Sequence, residues 1–347
     1  MPSTVHRPSS TVRFAISGLG HIGQRHLANI AATPGAVLAA TCDPNVQDGE
    51  TVRRRENGRD VPHFSDLKTM LAEADFDVLA VCSPNGLHAE QSLAALRAGR
   101  HVLIEKPMAL RRIHAEIIVH EALAYDRRVF VVMQNRYSPV SVWLKKVVSE
   151  KLLGDLVLAE VRCFWNRDDR YYLLPDGQKH AWRGNRDLDG GPIFTQFSHF
   201  VDALFWLFGD VSDVQAQFFN FTHQASAPQI EDTGLVNFKF AAGGAGVLNY
   251  STAVFDKNLE STLTILGTRG SVKIAGQYME RVELAHFQGI ENCPPPVPET
   301  VNPAENHRRV TENVVAVLTE KAQIATNALE GLKVVDIIER IYTAHPS

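Results

Sequence analysis

The apolar run Val12-Arg-Phe-Ala-Ile-Ser17 passes directly into Gly18-Leu-Gly-His-Ile-Gly23, and the stretch that follows carries Leu27 and Ile30 on one face. Strand, glycine turn and helix in that order open a mononucleotide-binding βαβ unit, and few other folds accept them. A glycine triplet alone marks an ordinary turn. Between a strand and a helix, Gly18, Gly20 and Gly23 have a mechanism. They permit a tight turn and a close approach of backbone to a pyrophosphate, whose charge then faces a helix N-terminus. His21 and Ile22 lie inside the same cofactor-binding turn. Asp43 follows Gly23 by 20 residues at the end of a second apolar run, residues 36–42, where a carboxylate accepts hydrogen bonds from an adenosine ribose. It also repels a 2′-phosphate, and Pro44 and Asn45 rather than an arginine come next, so the expected cofactor is NAD rather than NADP. Arg53, Arg54 and Arg55 would assist a phosphate only through a loop that folds back; a solvated helix face is the expected reading.

Further apolar runs at 78–82, 101–104 and 128–133 alternate with helical stretches such as 88–98, which Gly99 caps. Continuous apolar runs are strands of a parallel sheet covered on both faces. Residues 12–135 are therefore expected to form a doubly wound, NAD-binding α/β domain. Over 136–347 the texture changes. After a helix at 140–150, period-two segments at 156–165, 214–221, 234–240, 246–253 and 263–274 predict a large open, mostly antiparallel sheet with one covered face. A helix at 192–208 interrupts it, and helices near 306–320 and 330–343 end the chain. The expected class is α/β: a Rossmann domain plus a C-terminal α/β domain for substrate and self-association. Residues 1–11 read as a flexible tail and Pro294-Pro-Pro-Val-Pro298 as a stiff connector.

A chain of 347 residues suits two domains. Its 35 Lys and Arg against 39 Asp and Glu, a net charge of −4, lack the basic excess of nucleic-acid or anionic-membrane binders. No apolar run reaches the ~20 residues that span a bilayer. Cys42, Cys82, Cys163 and Cys293 form no CxxC pair, and the histidines do not pair with carboxylates at ligand spacing, so neither a disulfide framework nor a metal site is expected. A reducing, cytoplasmic setting follows.

With that fingerprint, Ser83-Pro-Asn-Gly-Leu-His88 and Gly99-Arg-His-Val-Leu-Ile-Glu-Lys-Pro107 make nearly the whole chain resemble the glucose–fructose oxidoreductase/inositol dehydrogenase (Gfo/Idh/MocA) family. The resemblance implies a Rossmann domain with NAD(P), then an α/β domain on a large open sheet. It adds Ser83, Asn85, His88, Glu105, Lys106 and Gln134 to the cofactor site. In the family the lysine of the EKP segment, here Lys106, stands by the nicotinamide and the substrate hydroxyl. Gln134-Asn-Arg136-Tyr-Ser-Pro139 matches a downstream segment whose arginine, Arg136, faces substrate.

A second matching segment runs from Asp189-Gly-Gly to Asp202 and places Thr195, His199 and Asp202 at i, i+4 and i+7, on one helix face. The resemblance makes His199 the acid/base and sets Thr195 and Asp202 beside substrate. Thr195 departs from the family, where many relatives carry Asp or Asn, so an Asp–His dyad is not carried over. Trp182, residues 258–278 and Asn306-His-Arg-Arg-Val-Thr-Glu-Asn313 look like the branch that oxidises the 3-hydroxyl of UDP-N-acetylglucosamine or its uronate. That branch implies a Lys106–His199 pair and an approach of His307 and Arg308 to substrate; Arg167 and Trp182 are expected substrate contacts from a segment of cations and aromatics.

Alone, Lys106 reads as a surface lysine and His199 as a satisfied helix histidine; their roles rest on the resemblance. A neutral imidazole suits proton abstraction at neutral pH, and an ammonium stabilises developing alkoxide charge. A uronate or diphosphate needs cations, and Arg162, Arg167, Arg170, Lys179 and Arg183 lie among Trp165, Tyr171, Tyr172 and Trp182. An exposed charged loop is the plainer reading of that segment. Three functions stay open: an NAD-dependent dehydrogenase of a UDP-sugar, a dehydrogenase of a free cyclitol or monosaccharide, and a catalytically silent nucleotide-binding sensor or scaffold. Retention of Lys106 and His199 disfavours the last. The expected partners are a small sugar or UDP-sugar and copies of the chain, as homodimer or homotetramer, because an open sheet buries its bare face by self-association.

Overall fold

The computed structural model describes residues 11–45, 55–56, 59–289, 303–320 and 322–344. The expected tail up to residue 10, Arg53, Arg54, Cys293 and the Pro294–Pro298 run lie outside the described residues.

Two compact units form, and neither is one continuous stretch. The first takes residues up to Met108, Ile113–Val132 and Ala304–Gly331; the second takes Ala109–Arg112, Met133–Pro303 and Leu332 onward. The contiguous division expected at 135/136 is corrected in this respect: residues 304–331 return to the first unit. The physical reason is an open sheet edge. Val131 donates its N–H to the Thr326 carbonyl at 3.0 Å, and Phe130 bridges Asn327, so the returning chain covers backbone groups that the last strand leaves unpaired.

The first unit contains β1 (Val12–Ser17), α1 (His21–Ala32), β2 (Ala36–Cys42), β3 (Arg55–Glu56), β4 (Arg59–Asp60), β5 (His63–Phe64), α2 (Leu67–Glu73), β6 (Val78–Val81), α3 (His88–Arg97), β7 (His101–Ile104), most of α4 (Arg112–Ala124) and β8 (Val129–Val131). Six of these strands make an all-parallel sheet in the order β5-β2-β1-β6-β7-β8. All four residues of β6 and of β7 are buried, which is why both read as unbroken apolar runs. The two-residue β5 escaped the sequence reading because it is too short to carry a pattern.

The second unit holds α5 (Pro139–Ser149), β9 (Leu156–Phe164), α6 (Asp169–Tyr172), a π-helical turn (Ile193–Phe197) continuing as α7 (Ser198–Phe208), then β10 (Val211–Phe219), β11 (Thr233–Phe240), β12 (Ala245–Ser251), β13 (Glu260–Gly267), β14 (Gly270–Ala275) and β15 (Arg281–Phe287). Its seven-stranded sheet runs β10-β11-β12-β9-β13-β14-β15, antiparallel except for the β12–β9 pair. Val161 pairs with Leu248 on one side and Leu263 on the other, and all three are buried. β11 alternates buried Val236, Phe238 and Phe240 with exposed Leu235, Asn237 and Lys239, so one face is covered and the other bare. The segment expected as one strand over 263–274 folds back between Gly267 and Gly270. A Cβ on Gly267 would meet the Leu153 carbonyl oxygen at 2.1 Å. β15 was not anticipated; mostly exposed, it lacks a clean alternation. α8 (Pro303–Thr319) lies in the first unit, and α9 (Ala328–Thr343) continues from the first into the second.

Candidate active site

β1 lies between β2 and β6, the point of a doubly wound sheet where ligands bind beyond the carboxyl ends of the strands. Gly18 sits at φ +93°, and a Cβ there would stand 2.6 Å from the Cys82 carbonyl; one on Gly23 would stand 2.0 Å from the Gly18 oxygen. These two glycines close the turn onto β6 and α1. Gly20 is different: nothing lies within 4 Å of where its Cβ would be, and it caps α1 without a side-chain bond. The first amide groups of α1 therefore face open space, as a pyrophosphate requires. Asp43 accepts the Leu19 N–H at 2.8 Å and the Asn45 N–H at 2.9 Å, tying the glycine turn to the end of β2. The turn thus fits a dinucleotide. Gly23→Ala should destabilise the first unit by about 1–3 kcal/mol through the forced clash. Gly20→Ala, with room for a methyl group, should keep the fold, and titration calorimetry should show that it weakens NAD binding.

His88 is buried, with Nδ1 2.7 Å from the Pro107 carbonyl and Nε2 2.9 Å from that of Ser83. It ties the segment after β6 to the segment after β7, a positioning role for Ser83 and Lys106. Burial pushes its pKa down, while the two carbonyl oxygens, both acceptors, push it up. Asn85 is buried in the short turn that precedes α3. Glu105 is also buried. Its carboxylate lies 2.7 Å from His26 Nε2 and accepts the Lys106 N–H at 3.2 Å. Burial pushes this carboxyl up, but the His26 hydrogen bond and the charges of His26, His307 and Lys106 outweigh it and bring it to about 2. The stability it contributes is present above its unfolded pKa near ~4.3 and is lost as pH falls through about 2. Acid unfolding should show that loss, and Glu105→Gln should remove it. His307, expected beside substrate, is buried in the first unit with its ring edge-on to His26, 6.5 Å between centroids.

In the second unit a 3₁₀ turn, Gln134–Tyr137, is fastened to α7 by a buried ion pair. Arg136 Nη2 lies 2.6 Å from Asp202 Oδ1, and Nε lies 3.0 Å from Oδ2. Both were expected to meet substrate; here they bond each other, under 7% exposed, with Trp206 5.5 Å from the guanidinium. Their pairing brings Gln134 to His199, the amide nitrogen 3.0 Å from Nε2. When that amide donates, Nε2 is an acceptor and the imidazole carries its proton on Nδ1; turned over, the amide accepts from a protonated Nε2. The carboxamide can bond Nε2 in either state of the ring.

Of the expected common face, His199 and Asp202 keep the α spacing within α7, and only Thr195 falls in the π-helical turn. The π-helical turn adds a residue to the turn and breaks the α periodicity on which that face depends. Thr195 donates its hydroxyl to the buried Asp189, whose carboxyl is pushed up by burial. A carboxylate reaches position 195 after all, from six residues earlier in the chain.

The arginine-rich segment separates into two kinds. Arg162 pairs with Glu160 and Arg170 with Asp168. Arg167 and Arg183 form no ion pair among the described residues. Both guanidinium groups lie over the Tyr171 ring, at 5.5 and 4.5 Å, with Arg167 also over Trp165 and Arg183 over Trp182. Arg183 Nε is buried without a hydrogen-bond partner, and burial pushes the Arg167 pKa down. Tyr171 and Asp189 had no signal of their own in the sequence, beyond an aromatic among arginines and an aspartate before two glycines. Among the described residues no cluster of three or more His, Cys, Asp or Glu could hold a metal ion, and no helix is long and apolar enough to cross a membrane.

Residues 12–133 match the model of an oxidoreductase family with an NAD-binding Rossmann fold, and residues 142–273 match the GFO/IDH/MocA C-terminal domain. The WlbA dehydrogenase from Bordetella pertussis, solved with NADH and UDP-GlcNAcA, is 32% identical, with 96% of each chain covered and a TM-score of 0.84. The WlbA dehydrogenase from Chromobacterium violaceum, solved with the same two ligands, is also 32% identical with a TM-score of 0.84, covering 97% of this chain and 94% of that one. Inositol 2-dehydrogenase from Paracoccus denitrificans is 31% identical over 202 residues, 58% of this chain and 55% of the relative. The chain thus spans little more than half the length of the curated relatives it matches.

Proposed function

The chain belongs to the Gfo/Idh/MocA family of NAD-binding oxidoreductases, and we propose that it oxidises a secondary hydroxyl of an anionic sugar nucleotide, the 3-hydroxyl of a UDP-N-acetylhexosamine or its uronate. The observation that carries the substrate class is the Arg167–Arg183 pair. Two guanidinium groups on one tyrosine ring, with no carboxylate paired to either, stand ready for a phosphate or carboxylate, and Trp165 and Trp182 beside them offer faces for a uracil or sugar ring. A free cyclitol or monosaccharide is neutral and leaves both cations uncompensated. The inositol dehydrogenase relative is what speaks for that second reading.

Gly18, Gly20, Gly23 and Asp43 would hold the dinucleotide, and NAD bound there supplies the acceptor for the hydrogen leaving the carbinol carbon as hydride. In this reading His199 removes the hydroxyl proton, and Gln134 holds its ring through Nε2. Lys106 donates a hydrogen bond to the same oxygen as it becomes a ketone. Thr195, backed by Asp189, faces the sugar. The bare face of the second sheet, with exposed Leu235, Leu266 and Leu284, is the surface that a dimer or tetramer would cover.

Purified protein given NAD and a panel of UDP-sugars, inositol and glucose should form NADH only with the UDP-sugars. Turnover of inositol or glucose alone would overturn the substrate assignment. Arg167→Gln and Arg183→Gln should each raise KM for the UDP-sugar by about 10- to 100-fold, the loss of one charge-assisted contact. NAD affinity should stay as it was.

A further inference from the structure

The proposed chemistry makes no use of Glu231, a carboxylate only 5% exposed. Its Oε1 accepts the Tyr250 hydroxyl at 2.8 Å and the Tyr342 hydroxyl at 2.6 Å, and its Oε2 lies 3.7 Å from Arg186 Nη2. Tyr250 comes from β12 and Tyr342 from the end of α9. The Tyr342 ring stacks on Phe194, inside the π-helical turn, at 5.7 Å and 19°, and the Arg186 guanidinium covers it at 5.5 Å. The Tyr342 hydroxyl thus stands beside the start of that turn, next to Gly191. Gly191, at φ +104°, shows how tightly this assembly meets the chain: a Cβ there would stand 2.5 Å from the Tyr342 hydroxyl and 3.3 Å from Glu231 Oε2.

A buried carboxylate is costly unless its oxygens are bonded, and it is most at ease near the start of a helix, where backbone N–H groups lack partners. Glu231 meets the first condition at Oε1 alone; Oε2 has no hydrogen-bond partner and is balanced only by the Arg186 charge 3.7 Å away. Glu231 holds the Tyr342 hydroxyl, the Tyr342 ring stacks on Phe194, and the turn that contains Phe194 continues as the helix bearing His199. We infer that Glu231 and Tyr342 are positioning residues for His199: their hydrogen-bonded pair, stacked on Phe194, anchors the start of the π-helical turn and sets the rotation of α7, so the last helix of the sequence orients the general base.

This inference rests on His199 being that base, so its test includes a readout that needs no substrate. Protein labelled with ¹⁵N-histidine is prepared as wild type, Tyr342→Phe and Glu231→Gln, and the His199 ring signals are assigned by their loss in His199→Asn. Both variants should bind NAD as the wild type does, yet show shifted His199 ring signals. With the sugar nucleotide, kcat should fall about 10- to 100-fold, the scale of an ångström-level misplacement. KM should change less than kcat. The isotope effect with deuterium on the oxidised carbon should rise as chemistry becomes limiting, and the double variant should be no slower than the worse single one. A purely structural role predicts lower thermal stability with His199 signals and kcat per folded molecule as in the wild type; that result in both variants overturns the inference. If the wild type oxidises no sugar nucleotide, the functional reading falls while the His199 signals still decide this one. Because each variant changes only one or two atoms, Glu231→Gln carries the test should Tyr342→Phe not fold.

Discussion

Replacing His199 with asparagine lowers kcat by about 10²–10⁴-fold, the range for loss of a positioned general base, and leaves NAD binding unchanged. The substitution removes the imidazole that Gln134 bonds and puts in its place an amide that cannot take up a proton. The turn and α7 should keep their places through the Arg136–Asp202 pair, so the loss is chemical rather than architectural. Lys106→Met produces a loss of similar order by removing the donor to the developing alkoxide. The two roles differ in pH dependence. Without His199 the acidic limb of the kcat profile disappears, because no imidazole remains to be deprotonated. Without Lys106 that limb persists at lower rate. Steady-state kinetics between pH 5 and 9 read both effects, and wild-type kcat in either variant contradicts the assignment.

Asp202→Ala destabilises the second unit by about 3–5 kcal/mol, the cost of leaving the Arg136 guanidinium buried without its carboxylate. The guanidinium is 5% exposed at the side chain and bonded by two nitrogens to one carboxylate, so water cannot take the place of the lost oxygens. Replacing both partners, Arg136→Met with Asp202→Leu, removes the charge along with its counter-charge and should recover most of that stability. Urea unfolding of the three proteins measures the difference. A double variant as unstable as Asp202→Ala would mean that packing around Trp206, rather than the buried charge, dominates at this site.

The parallel sheet was legible because strands buried on both faces must be apolar throughout, and the glycine turn because two of its positions admit no side chain. Strands β9 to β12 announced themselves by alternation, since one face is covered and the other is not. β5, two residues long, and β15, mostly exposed, left no such trace. At the site, the residue types were legible and their pairings were not. Arg136 and Asp202 stand 66 residues apart, and nothing in local spacing says that their charges meet each other rather than a ligand. The π-helical turn is equally silent: Ile193-Phe-Thr-Gln-Phe197 suits an ordinary helix, and what holds it as a wider turn comes from Glu231 and Tyr342, far along the chain. That His307 lies near His26 and Glu105 was not legible either, because it depends on the return of 304–331 to the first unit.

The most direct measurement is mass spectrometry of the sugar nucleotide after incubation with the enzyme and NAD. UDP-GlcNAcA should be converted to a species lighter by two hydrogens, in step with NADH, and Arg167→Gln should slow that conversion at low substrate. An unchanged UDP-sugar in the presence of bound NAD, with NADH formed instead from a neutral cyclitol or monosaccharide, would contradict the account.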